Sequence, residues 1–203
     1  PVQDMAGLNV LVTAGPTREA LDPVRYITNH SSGKMGYAVA EAARKRGANV
    51  TLLSGPVQLN APEGVQVVDV TSTQDLYDRM MEYCEKQHII IQAAAPADFS
   101  PLSFVEEKIK KDDDGNITFI MKQTQDVAQA VGKRKLPGQV LIGFAAETEK
   151  VNEHAKKKLA KKNLDMIVAN DVTMPGAGFN VDTNIVTFIT EDGMEDMPQL
   201  SKA

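Results

Sequence analysis

Short apolar stretches separated by amphipathic ones set the plan of this chain. Residues 9–13, 49–53, 65–70, 88–91, 139–142 and 166–169 are runs rich in Val, Leu and Ile. Several intervals between them carry helical spacing, as at Leu76, Met80 and Cys84. Runs that are apolar on both faces suit a parallel sheet covered by helices and joined by right-handed crossovers. The pattern predicts an α/β fold, Rossmann-like and doubly wound, with a mostly parallel sheet. In that architecture ligands sit beyond the carboxyl ends of the strands, so the residues after each run become the candidates for chemistry.

Those residues are 13–17, 54–56, 93–98, 143–147 and 170–171, and small or polar side chains dominate them. Segments 99–125 and 171–198 break the α/β alternation. The first has an acidic turn at 112–115 and then a strand-like run at 117–121, and the second carries another such run at 185–189. They predict an added antiparallel ribbon, a flap or a dimer contact. A single domain over residues 1–203 is expected, without internal repeats.

Composition supports this plan and narrows the partners. A chain of 203 residues, 42% hydrophobic and 24% charged, can bury one sizeable core without a disulfide or metal staple. The lone Cys84 reads as core, and His30, His88 and His154 lack metal-ligand spacing, so a metal site built by the protein is not expected. No apolar run approaches the ~20 residues of a bilayer span, and the start lacks the order of a signal peptide. A cytoplasmic protein without membrane contact is expected. The net charge of −5 opposes nonspecific binding to nucleic acid, yet basic residues gather at 108–111, 133–135 and 156–162. Basic patches on an acidic body suit small polyanions. The Pro1 start fits a module excised from a longer chain.

Candidate chemistry concentrates between the first strand and the first clear helix. There the chain reads Thr13-Ala14-Gly15-Pro16-Thr17-Arg18 and later Ser31-Ser32-Gly33-Lys34-Met35-Gly36, with residues 22–30 as an inserted loop. Glycines let backbone N–H groups approach an anion, and a helix beginning near Ser32 adds unpaired donors and a positive dipole end. Any one of these residues serves equally well as a turn glycine or a capping serine; the cluster makes the case for phosphate. A P-loop is absent, because Met35 stands where Ser or Thr should hold Mg²⁺ and Thr28 where the first glycine belongs. An NAD site is disfavoured, because Ser54 and Gly55 occupy the end of the second strand where an acidic residue should meet the ribose. The Tyr-x-x-x-Lys pair of short-chain dehydrogenases is also missing.

Lys108, Ile109, Lys110 and Lys111 form a charge run that serves equally as a solvated ribbon or as a basic loop closing over a triphosphate. Lys158 and Lys162 are four apart and share a helix face. Six lysines between 150 and 162 face only Glu153 within that interval, so a counter-anion would relieve their repulsion.

Several segments together resemble the bacterial phosphopantothenate–cysteine ligase family of coenzyme A biosynthesis. They are residues 14–19, 22–36, 108–111, 143–148, 162–165 and 169–172, in order along most of the chain. The resemblance implies that the carboxylate of 4′-phosphopantothenate attacks the α-phosphate of CTP, releasing pyrophosphate, and that the amine of cysteine then displaces CMP. By matching positions it makes Asn29, Lys108 and Arg25 the catalytic candidates. Arg25, Asn29 and Ala94 would meet the acyl substrate. Gly15, Ser31, Ser32, Gly33, Ala93, Ala94, Asp98, Lys108, Asp126, Val127, Phe144, Lys158 and Lys162 would meet the nucleotide. Phe144 can stack a base and Asn29 can hydrogen-bond an oxygen without adding charge.

Mg²⁺ would be held by phosphate oxygens and water. The resemblance further implies a homodimer, no FMN in this module, and a flavin-dependent decarboxylase fused ahead of it. Departures are Thr124-Gln125-Asp126-Val127 where the family has Asn-Pro-Asp-Ile, Pro96 in place of a valine, and an end at Ala203 before the family's last helix. Two other readings stay open on the same fold: an NAD(P)-dependent reductase, and a nucleotide-binding module without catalysis.

Overall fold

The protein is described by a computed structural model covering residues 2–110, 115–147, 151–171 and 183–202. In chain order the elements are β1 (Asn9–Ala14), β2 (Arg18–Ala20), β3 (Tyr26–Thr28), α1 (Lys34–Lys45), β4 (Asn49–Ser54), β5 (Gln66–Asp69) and α2 (Thr73–Tyr83). There follow β6 (Ile89–Gln92), β7 (Phe99–Pro101), β8 (Met121–Gln123), α3 (Val127–Arg134), β9 (Val140–Glu147), α4 (Val151–Lys161) and β10 (Met166–Asp171). Four short strands close the described chain: β11 (Thr183–Asn184), β12 (Val186–Ile189), β13 (Met194–Asp196) and β14 (Leu200–Ser201).

The main sheet runs β13-β12-β10-β9-β6-β1-β4-β5. Its strands from β10 to β5 are parallel, and β12 and β13 extend one edge antiparallel. The chain winds outward from β1 in both directions, so β1 and β6 flank the switch point where such folds open a crevice. Alternation along each strand divides the core. Leu11, Leu53, Ile90, Leu141 and Ile167 pack against Leu76 and Met80 of α2 and Val127 and Val131 of α3. Val10, Val12, Val50 and Leu52 pack against Ala40 and Ala43 of α1. Cys84 belongs to the first cluster, and burial pushes its thiol pKa up, as its core reading requires.

Local sequence explains the helix starts. Ser72 and Asp75 form a reciprocal capping box on α2, and Asp126 caps α3 by accepting from the Gln129 N–H. The start of α1 differs from the expectation of a helix beginning near Ser32. It begins at Lys34, behind a left-handed Gly33 with no side-chain cap. Neither serine is the residue immediately before the helix, though Ser32 Oγ accepts from the Lys34 N–H at 3.5 Å.

Three further expectations are corrected. Residues 22–30 are not simply an inserted loop, because β3 pairs antiparallel with β2. Residues 117–120 are not strand; β8 begins at Met121 and pairs with β7, where Pro101 ends the match. The run at 185–189 does not form a separate ribbon: β12 pairs with β10 and joins the main sheet. The strands β9 and β10 also run further than their apolar cores. Their small residues resemble loop composition but are packed; a Cβ on Gly143 would lie 2.9 Å from Leu164 Cδ1. Lys111, the turn at 112–114, Thr148, Lys150 and Val172 lie outside the described residues.

Two buried carboxylates tie the hairpin to its surroundings. Asp22 accepts from the N–H groups of Val24, Arg25 and Ile109 at 2.8, 2.7 and 3.1 Å. Burial acts to raise its pKa, but these donors and the Arg25 charge outweigh it and hold the carboxyl below the usual range. Glu19 accepts from both the N–H and the hydroxyl of Thr73, at 2.9 and 2.8 Å. The Thr17 hydroxyl accepts from the Ala97 N–H and contacts the Thr73 hydroxyl, both at 2.9 Å.

Candidate active site at the switch point

Two adjoining cavities open at the carboxyl ends of β1, β6 and β9 and share Ala94, Phe144 and Ala145 in their walls. The first, of about 440 Å³, lies against the start of α1. Residues 29–36 form much of its lining, together with Ala93, Ala94, Ala95, Asn170, Asn184 and Lys202. Its shape depends on glycine. Gly33 turns at φ +77°, a conformation other residues rarely adopt. At Gly36 a Cβ would lie 2.5 Å from Ala14 Cβ, so only glycine lets α1 seat this closely on the end of β1. The start of α1 therefore borders the cavity, with Ser32 Oγ accepting from the Lys34 N–H at 3.5 Å, and a helix N-terminus placed there suits phosphate or carboxylate.

Asn29 lines this cavity, and its Nδ2 donates to the Pro96 carbonyl at 3.0 Å. That bond fastens the inserted hairpin to the loop after β6. On the opposite side of the loop, the Ala94 N–H donates to Thr13 Oγ1 at 3.1 Å and the Ala95 N–H to the Gly15 carbonyl at 2.9 Å.

The second cavity, of about 230 Å³, lies between the loop after β6, the start of α3 and the residues at the end of α4. Leu76, Ala97, Val127, Leu164 and Ile167 contribute its apolar surface, but most of its lining is polar, from Gln92, Gln123, Gln125, Asp98, Asp126, Lys158 and Lys162 among others. Lys162 Nζ lies 3.1 Å from Asp126 Oδ2. Burial acts to raise the Asp126 pKa, but the Gln129 N–H and Lys162 hold it below the usual carboxylate range. The lysine cluster thus receives a counter-charge from the cap of α3, outside the interval in which only Glu153 opposes it.

Most predicted site residues fall on the two cavities, and Ala94 and Phe144 belong to both. Asn29, Ser31, Ser32, Gly33, Ala93, Ala94 and Phe144 line the first cavity. Ala94, Asp98, Asp126, Val127, Phe144, Lys158 and Lys162 line the second. Gly15, Arg25 and Lys108 line neither. Gly15 packs beneath Gly33, with the Cβ position of Gly33 3.5 Å from its Cα. Arg25 donates from Nη2 to the Ile109 carbonyl at 3.1 Å and lies 3.6 Å from Asp22. Lys108 is exposed and adjoins that anchored Ile109. Among the described residues no group of three or more His, Cys, Asp and Glu side chains could hold a metal ion.

Several lining residues were not singled out in the sequence. Gln92 falls between the run ending at Ile91 and the loop starting at Ala93, and proves to be the last residue of β6. Asn170, by contrast, falls in the 170–171 segment that the sequence marked; it sits within β10, and its Oδ1 is buried with no hydrogen-bond partner among the described residues. Asn184 and Lys202 come from the short β11–β14 pair and its flank, where no local pattern marks them. An unexplained polar residue at the end of an apolar run was the available signal for Gln92.

Comparison with known proteins adds independent weight. Residues 5–203 match the model of the DNA/pantothenate metabolism flavoprotein C-terminal domain. The coenzyme A biosynthesis bifunctional protein CoaBC of Bacillus subtilis (strain 168) is 49% identical over 200 residues, covering 98% of this chain and 49% of that protein. The chain therefore spans about half the length of the curated relatives it matches. The crystal structure of the C-terminal domain of a CoaBC protein superposes with a TM-score of 0.83 at 42% identity, covering 98% of this chain and 90% of that one. The DNA/pantothenate metabolism flavoprotein from Streptococcus pneumoniae superposes with a TM-score of 0.83 at 27% identity, covering 97% of this chain and 93% of that one.

Proposed function

The chain belongs to the DNA/pantothenate metabolism flavoprotein C-terminal domain family, and from that premise we propose that it is a CTP-dependent phosphopantothenate–cysteine ligase of coenzyme A biosynthesis. A carboxylate oxygen of 4′-phosphopantothenate attacks the α-phosphorus of CTP, and the bond to pyrophosphate breaks. The cysteine amine then attacks the acyl carbon, and CMP leaves with the acyl C–O bond pair. A carboxylate becomes a usable acyl donor only when its oxygen is part of such a leaving group.

The observation that carries this reading is the convergence of separately inferred residues on two cavities with a common wall. One sets a helix N-terminus beside anionic groups, and the other combines an apolar floor with a polar rim bearing lysines. Two substrates that must react with each other need two such adjoining sites. Asn29, held by Pro96, stands where a neutral amide can bond a reacting oxygen without repelling the phosphate. Mg²⁺ arrives with the nucleotide, held by phosphate oxygens and water. In this proposal Lys108 closes over the triphosphate from a segment anchored at Ile109, and Arg25 contributes at the acyl substrate.

The ligase module is taken to be a single domain, without FMN, fused in its full-length form to a flavin-dependent decarboxylase. Phe99, Leu102, Phe104, Ile117 and Ile120 around the β7–β8 ribbon are all more than half exposed, which supports a homodimer formed through that ribbon. Among the described residues no helix is long and apolar enough to cross a membrane, and the proposed location is the cytoplasm. Ser54 at the end of β4, bonded to Tyr37 Oη at 2.9 Å, offers no carboxylate to a dinucleotide ribose and weighs against the reductase.

The test is pyrophosphate release from CTP, Mg²⁺ and 4′-phosphopantothenate without cysteine, since activation needs no amine. Release that depends on phosphopantothenate is expected, with CMP appearing on adding cysteine. Absence of release from any nucleotide by the folded full-length protein overturns the proposal.

A further inference from the structure

Gln92 closes β6 in register with Thr13 of β1 and Gly143 of β9. It shares the sheet face of Ile90, the face covered by α2 and α3, and lines the second cavity. Its amide nitrogen, Nε2, is buried and has no hydrogen-bond partner among the described residues. A buried donor without an acceptor destabilises the free protein, and an apolar side chain would suit the same neighbours better. Packing therefore gives no reason for a glutamine here, whereas a ligand that brings its own acceptor does.

The surroundings limit that acceptor. Leu76, Val127 and Ile167, core side chains on the sheet face of Gln92, form the floor of this cavity, whereas Asp98, Asp126, Lys158 and Lys162 carry its charge, so beside Gln92 a neutral oxygen is favoured over a phosphate. Phe144, in the wall common to both cavities, can stack a flat ring. On the ligase reading given above, the ligand with a flat ring and a neutral carbonyl is the nucleotide base. We propose that Gln92 is a specificity residue whose Nε2–H donates to the ring carbonyl at C2 of a pyrimidine, placing the base in the second cavity. Adenine carries no ring carbonyl, so this one bond favours CTP over ATP and treats UTP like CTP at that position. Asn170, the other buried amide with a bare polar atom, faces the first cavity and takes no part in the base contact.

Titration calorimetry of CTP, UTP and ATP with Mg²⁺ tests this on the wild-type chain and Gln92→Met, a variant of similar length. The wild type should bind CTP and UTP more tightly than ATP. The variant should lose about fivefold to tenfold in affinity for CTP and for UTP, hold ATP within about twofold, and melt no lower than the wild type. If Gln92→Met does not fold cooperatively, Gln92→Glu reads the same ratio, since it keeps length and polarity but replaces the donor with an acceptor. An unchanged CTP-to-ATP ratio, or an equal loss for all three nucleotides, overturns the base contact; wild-type pyrophosphate release from CTP then still upholds the ligase reading. A wild type that binds no CTP and releases no pyrophosphate overturns both.

Discussion

The two cavities differ in how the chain builds them. The first is made largely by one continuous stretch, residues 29–36, whose backbone course depends on Gly33 and Gly36. The second draws side chains from β6, α3, β9 and α4 and depends on their packing. A site made of backbone is fixed by local conformation and resists change until a glycine is lost. A site made of distant side chains can be retuned one residue at a time. On the proposed function, the first is thus suited to the chemical step and the second to choosing the nucleotide.

Asn29→Asp should separate them most sharply. The new carboxylate loses the amide donor to Pro96, faces its carbonyl and meets the anionic substrates, so single-turnover pyrophosphate release should slow by about 100-fold or more across neutral pH. Wild-type rates would remove Asn29 from the chemistry and erase the contrast. Gly36→Val comes next. Its Cβ cannot coexist with Ala14 at 2.5 Å, so α1 must lift from β1, at a cost of about 1–3 kcal/mol in urea denaturation and with most of the activity lost. Unchanged stability would mean that the helix start tolerates displacement.

Lys162→Ala should act on binding rather than chemistry, weakening CTP by about tenfold while leaving the rate at saturation within about threefold. A loss confined to the saturated rate would reverse the roles of the two cavities. The smallest effect is a pH dependence. Asp126 has its carboxyl pKa lowered on folding, so its contribution to stability is fully present above the unfolded carboxylate range, about pH 3.9. It is lost as pH falls through the lower folded value. Urea midpoints of wild type and Asp126→Asn should therefore differ by a constant amount from pH 8 to pH 5 and converge only in acid. Convergence already at pH 6 would contradict the depressed carboxyl.

The same contrast explains what could be read in advance. The parallel sheet followed from runs such as 9–13 and 49–53, because buried strands must be apolar on both faces. The mouth at 31–36 was legible because glycine conformation and helix-start donors are local properties. The ends of β9 and β10 were not, since Gly143 and Ala145 look like loop residues until Leu164 is seen filling the space beside Gly143. The joining of β12 to the sheet edge and the hairpin at β2–β3 required pairing partners that no local pattern specifies. Gln92 carried no periodic signal, and its meaning arises only from a nitrogen left without a partner. The lysine charge at 162 was legible, but its neutralisation by Asp126 came from a separate helix.

Glu19 has a consequence beyond holding the hairpin. Its one oxygen grips the first residue of α2, and that same threonine hydroxyl also reaches the Ala97 carbonyl, which takes a second hydroxyl bond from Thr124 at 2.6 Å. The strap bearing Asp98 is therefore tied to the helix scaffold through the Ala97 carbonyl, in addition to its bonds to Thr17, Asn29 and the Thr124 N–H. On the proposed function, an engineer seeking a looser nucleotide preference would gain more by altering the cavity rim than by loosening Thr73, whose loss would slacken the strap as a whole.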